Sequence, residues 1–144
     1  CGWALGHRVD DVAFAGALVR LLGAVPNVDT TRVAAVGFSA GGMLALRLAC
    51  DGAPSLRAVA DVAGTMPHAE CRPGRPVSVL LVQGGDDDEL RGELHLLRLA
   101  RAPRRTHSLE DALHFWARHA GCAPAPPARD SSRAGLASER AVGC

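Results

Sequence analysis

The residues best suited to chemistry are Ser39 and the acids Asp86, Asp87 and Asp88. Ser39 is the centre of Gly37-Phe38-Ser39-Ala40-Gly41, a G-x-S-x-G pattern extended by Gly42. A short apolar run, Val33 to Val36, leads into it, and a helix-forming run, Met43 to Cys50, leads away. Strand, sharp turn and helix in that order are the setting of a nucleophile elbow. In such a turn the serine hydroxyl stands clear of the sheet. The Ala40 N–H is aimed where an oxyanion would form, at the positive end of the following helix. Side chains at Gly37 and Gly41 are expected to collide with the neighbouring strand and the helix start, which accounts for glycine at both. The plainer alternative is a tight βα turn in which Ser39 only caps the helix.

A serine hydroxyl is a weak nucleophile until a histidine takes its proton, and a carboxylate must hold that histidine. The acidic cluster is placed for the second role. It follows Val77 to Val82, a run apolar but for Ser78, through Gln83-Gly84-Gly85. A solvated acidic turn is the competing reading. The histidine is harder to place. His95, His107, His114 and His119 lie downstream, yet none follows a strand.

Elements that could position these groups are legible around them. Asp10 is suited to cap a helix, with Asp11 in its first turn. Val12, Phe14, Ala15, Leu18, Leu21 and Leu22 form its expected apolar stripe. Gly23 to Thr31, with Pro26 and Asn27, turns the chain into the strand before Ser39. Leu56 to Ala63 reads as the next strand, ending in a loop at Gly64. Val77 to Val82 reads as a strand buried on both faces. Leu90 to Arg105 is arginine-rich and of helical character. Ser108 to Asp111 is a capping box, opening a helix with Leu113, Phe115, Trp116 and Ala120 on its apolar face and Gly121 as its stop. Cys122 to Cys144, rich in Ala, Pro, Ser and Arg, reads as a surface excursion or linker. Helices alternating with buried strands predict an α/β fold on a parallel sheet, with the ligand site at the carboxyl ends of the strands.

Composition fits one globular domain over residues 1–144. The chain is 48% hydrophobic and 22% charged, which is enough apolar material for a core. Its sixteen basic residues are all arginine and scattered, and the net charge is +1, so no electrostatic footprint for nucleic acid is present. No apolar run reaches the roughly 18 residues of a membrane span. The five cysteines carry no C-x-x-C spacing, so neither a metal nor any other cofactor is expected. Cys50 with Cys71, and Cys122 with Cys144, would each close a loop of about twenty residues, worth about 3 kcal/mol apiece. Such bridges imply an oxidising compartment and a secreted protein. Free thiols in a cytosolic protein are the alternative.

With these residues in hand, the chain resembles the secreted polyhydroxybutyrate depolymerase and feruloyl-esterase-like branch of the α/β-hydrolases. The resemblance runs through Val9 to Phe14, Val28 to Cys50, Val62 to Thr65, Cys71 to Val77 and Ser108 to Cys122. It implies a three-layer α/β-hydrolase-like parallel sheet, Ser39 as nucleophile and the Ala40 N–H as one oxyanion donor. The family's acid motif has a glycine three residues before the aspartate, so Gly84 points to Asp87. Gln83 and Asp88 depart from that motif, which keeps Asp86 and Asp88 open. The resemblance also implies that the early strands, with the second oxyanion donor, precede Cys1. The catalytic histidine would follow Cys144. The chain is therefore expected to be the middle of a longer enzyme, incomplete at both ends and nearly inactive alone. The implied activity is hydrolysis of a polyhydroxyalkanoate or an aromatic-acid ester through an acyl-enzyme. A non-catalytic binding module and a serine peptidase with the same elbow are the competing functions.

Overall fold

A computed structural model describes residues 7, 9–51, 55–64, 71–84, 87 and 109–122, and the backbone of 128–133 and 136–140. Helix α1 (Asp11–Leu22) starts as its sequence predicts, with the Asp10 side chain accepting the Ala13 N–H at 2.8 Å. That satisfies one of the donors a helix start leaves over. Its inward face differs from the expected stripe. The half-buried positions are Asp11, Val12, Ala15, Gly16 and Val19, while Phe14, Leu18 and Leu21 are exposed. Apolar residues ring this helix, so spacing alone did not single out a face.

Asp29 closes the turn that follows. Its carboxylate accepts from the Thr31 N–H at 2.9 Å, and from Thr31 Oγ1 and Arg32 Nε at 2.6 Å each. Strands β1 (Val33–Phe38), β2 (Leu56–Val62) and β3 (Ser78–Val82) form a parallel three-stranded sheet in the order β1-β2-β3. Helix α2 (Ala40–Cys50) makes the crossover from β1 to β2. The register pairs Phe38 with Val62 and Val62 with Val82, so all three strands finish at one rim.

The core lies on one side of this sheet. Ala45, Leu46, Ala49 and Cys50 of α2 pack with Leu56, Val59 and Val77, and with Ala112 and Trp116 of helix α3 (Leu109–His119). The i, i+1, i+4 spacing on α2 is the inward stripe of an amphipathic helix. Leu113, Phe115 and Ala120 flank α3's buried residues, and Phe115 meets Trp116 edge to face at 5.2 Å. Gly121, at φ 73°, ends the helix as predicted. The Cys122 N–H reaches Ala117 O and the Gly121 N–H reaches Arg118 O, the paired bonds of a Schellman cap. Ser108, the other half of the predicted capping box, lies outside the described residues.

One expectation needs correction. The strands are not buried on both faces: Val36, Phe38, Leu80 and Val82 are exposed. The described helices that enter the core, α2 and α3, share the opposite face, so alternate residues of β1 and β3 face outward. Within the tail, an antiparallel hairpin joins β4 (Ala128–Arg133) to β5 (Leu136–Arg140).

Cys50 and Cys71 form a disulfide across 21 residues, as their spacing suggested. Cys122 is also disulfide-bonded, to a partner outside the described residues. The Cys50–Cys71 bridge ties the end of α2 to the segment leading into β3. Replacing both cysteines by alanine is expected to lower stability by about 3 kcal/mol, read as a lower urea midpoint under oxidising conditions.

Candidate active site

The rim is assembled by backbone bonds that continue the sheet past its last side chains. The Ser39 N–H donates to Val62 O at 2.8 Å, and the Ala63 N–H donates to Val82 O at 2.8 Å. Ser39 is thus pinned to β2 while the chain reverses into α2, where the Met43 N–H donates back to Ser39 O at 3.1 Å. The reversal forces Ser39 to φ 52°, ψ −119°, a region that costs a residue with a side chain about 1–3 kcal/mol. Ser39 stands at the N-cap of α2, yet its side chain makes no capping hydrogen bond. The plain capping role is therefore not what the hydroxyl does.

Glycines make the turn possible, though not the pair expected. A Cβ on Gly37 would overlap the carbonyl group of Gly41 and the nitrogen of Gly42, so β1 and the start of α2 touch backbone to backbone. Gly41 is different: nothing lies within 4 Å of where its Cβ would be. The expected collision at Gly41 is absent because that position faces outward from the first turn of α2. The second constrained glycine is Gly42, whose Cβ would overlap Asp61 Oδ1. Gly41→Ala is expected to fold normally and to gain up to about 1 kcal/mol from helix propensity. A thermal melt beside that of the parent checks it.

Asp61 is the residue that sequence reasoning missed. It sits in β2 opposite Gly37 on one side and Leu81 on the other, and it is 4% exposed. Its signal was available: the one acid in a strand apolar but for Arg57, three residues before a glycine. Burial pushes its carboxyl up from 3.8 to about 6, against the opposing pull of the Gly64 N–H. An acid raised in this way stabilises the fold fully below 3.8, and that contribution is lost as pH rises through about 6. Asp61→Asn, which cannot ionise, is expected to be more stable than the parent above that range by about 3 kcal/mol. Urea midpoints across the range should converge toward acid pH.

Asp87, the acid to which the family resemblance points, is half-buried just beyond β3. Its N–H donates to Gly84 O at 3.3 Å, closing a turn at the same rim as Ser39. Because β2 separates β1 from β3, the two strand ends stand about 10 Å apart, two strand spacings. Asp86, Asp88, His95 and His107 lie outside the described residues. On α3, His114 is exposed and His119 is half-buried, stacked on Phe115 at 6.4 Å. Ala40 opens α2 and is exposed, beside Ser39. Among the described residues no cluster of His, Cys, Asp or Glu is arranged to hold a metal ion. No helix among them is long and apolar enough to cross a membrane.

Comparison with known proteins bears on this arrangement. Residues 5–142 match the dienelactone hydrolase family. Over 83 residues, 56% of this chain, the sequence is 48% identical to "Putative esterase NocK" from Nocardia uniformis subsp. tsuyamanensis. The match covers 24% of that relative, so the chain spans about a quarter of its length. No solved structure matches the chain.

Proposed function

We infer the function from one premise: the chain belongs to the dienelactone hydrolase family, a family of α/β-hydrolases. It carries the nucleophile segment of a serine ester hydrolase. The observation behind this reading is the backbone of Ser39, held at φ 52° at the sheet rim with no capping bond drawing on its hydroxyl. The similarity to the relative called "Putative esterase NocK" supports the same class.

The chemistry follows from the geometry. Ser39 Oγ attacks the ester carbonyl carbon, and its proton passes to a histidine. The carbonyl oxygen becomes an oxyanion beside the Ala40 N–H at the positive end of α2. Collapse breaks the ester C–O bond, the alcohol leaves with the histidine's proton, and an acyl-serine is left. Water then repeats the sequence and releases the acid. Asp87 is the proposed carboxylate that orients the histidine. The cysteine bridges support an extracellular site of action.

Polyhydroxyalkanoate and feruloyl-type esters are the proposed substrates, on the segments that resemble that branch. A lactone is the further candidate that the family's name raises. The test is hydrolysis by the full reading frame that carries this chain. It is assayed on 3-hydroxybutyrate oligomers, a feruloyl sugar ester, an unsaturated lactone and the matching amides. Turnover of at least one ester with none of the amides is expected. Turnover of amides alone would replace this reading with a peptidase.

A further inference from the structure

Among the described residues, the esterase chemistry leaves one buried ionisable group unused, and it lies directly beneath the nucleophile turn. Asp61 Oδ1 has no hydrogen-bond partner among the described residues. Two glycines form the walls around it, since a Cβ on either Gly42 or Gly64 would overlap Oδ1. The point a Gly64 Cβ would occupy is 2.9 Å from Ser39 O, and the point a Gly42 Cβ would occupy is 3.1 Å from Gly37 O. The carboxyl therefore borders the same small space as two backbone carbonyl oxygens of the turn. An ionised carboxylate can only accept, and those neighbours are acceptors as well. A protonated carboxyl has one donor to give them.

We propose that Asp61 is a positioning residue for Ser39: its protonated Oδ1–H donates to a backbone carbonyl of the turn, at Ser39 or Gly37, and ionisation breaks that brace. Loss of the proton also leaves a negative charge under the start of α2, where the oxyanion is to be stabilised. Both effects slow acylation as pH rises. The inference rests on the reading of Ser39 as nucleophile.

Apart from the Gly64 N–H, which favours the ionised form, no described group nearby offsets that charge. Strands β1 and β3 carry no ionisable side chain. On α2 the single charged residue is Arg47, which is exposed and bonded to Asp51 at 2.9 Å. On β2 itself, Arg57 is exposed and donates to Thr31 O at 3.0 Å. Glu110, Asp111, His114 and Arg118 of α3 are exposed, and half-buried His119 stacks on Phe115. Asp87, at the rim beyond β3, is an acid and adds no counter-charge. The raised carboxyl of Asp61, titrating at about 6, agrees with this isolation.

The test is the rate of fluorophosphonate labelling of the full reading frame from about pH 5 to about pH 8, for the parent, Asp61→Asn and Asp61→Val. Asparagine keeps a donor at every pH, and valine keeps none. Expected results are equal rates for the parent and Asp61→Asn at the acid end, and a several-fold faster Asp61→Asn at the alkaline end. Asp61→Val should be slow throughout. A role in packing alone would make the two variants alike, and parallel profiles for the parent and Asp61→Asn would overturn the inference. The infrared carboxylic-acid band of the unsubstituted protein provides a reading that needs no variant. A buried carboxyl band present at the acid end should vanish as pH rises through about 6, and its absence would also overturn the inference. If the parent reacts at no pH, the nucleophile reading fails and takes this inference with it.

Discussion

Ser39→Ala is expected to cut ester hydrolysis by about a thousandfold or more while leaving the fold intact. The loss follows from chemistry, because no acyl-enzyme can form without the hydroxyl, and removal of a triad member leaves only binding and oxyanion stabilisation. In barrier terms that is at least about 4 kcal/mol. The intact fold follows from structure. The Ser39 side chain makes no capping bond, so its oxygen can go with a change in stability within about 0.5 kcal/mol. Ser39→Gly separates the two effects further. Glycine occupies φ 52° without the strain a side chain brings, so this variant should be inactive yet more stable than the parent, by about 1–2 kcal/mol. Initial rates on the best ester, with urea melts of the same preparations, check both. An active Ser39→Ala protein would remove the nucleophile from the account.

Gly37→Ala is expected to do the opposite, losing the fold around the turn and the activity with it. The added methyl would have to occupy the space of Gly41's carbonyl group and Gly42's nitrogen. Those are backbone atoms at the start of α2, held by the Met43 N–H bond to Ser39 O and unable to swing aside as a side chain would. Either β1 separates from α2 or the turn opens, and both uncover the core packed under Leu46. A cost above about 4 kcal/mol is expected, at the far end of what single substitutions produce. Circular dichroism and a urea melt measure it. Near-parental stability would mean that the approach of strand and helix is looser than described.

The contrast between Gly37 and Gly41 shows what the chain discloses of itself and what it withholds. The G-x-S-x-G spacing marked the turn, because only a strand running into a helix through that pattern makes such a turn. It could not say which glycine was sterically required, since that depends on which way each position faces. Gly42 gained its importance from Asp61, nineteen residues away in sequence and adjacent only once β2 pairs with β1. The parallel sheet was legible from apolar runs, and the Cys50–Cys71 bridge from its spacing.

What escaped has common physical roots. The outward face of β1 and β3 reads as buried because Val36, Phe38, Leu80 and Val82 are apolar, whether or not anything covers them. The β4–β5 hairpin, with Arg129, Asp130, Ser131 and Ser132 in its first strand, has neither the alternation nor the β-branched residues that announce a strand. For the candidate site, the spacing around Ser39 marked the turn and the family resemblance pointed to Asp87, and both lie at one rim of the sheet. Asp61 stood out in the sequence only as an acid among apolar residues, because burial is visible only through what surrounds it.

The central claim is that the hydroxyl at position 39 is a nucleophile, and the adduct of a fluorophosphonate probe tests it most directly. The folded full reading frame is treated with the probe, digested, and its peptides weighed and sequenced by mass spectrometry. The account predicts one phosphonylated residue, Ser39, with the adduct absent from Ser39→Ala. A folded protein that hydrolyses an ester yet carries the adduct on another residue, or carries none, would contradict it.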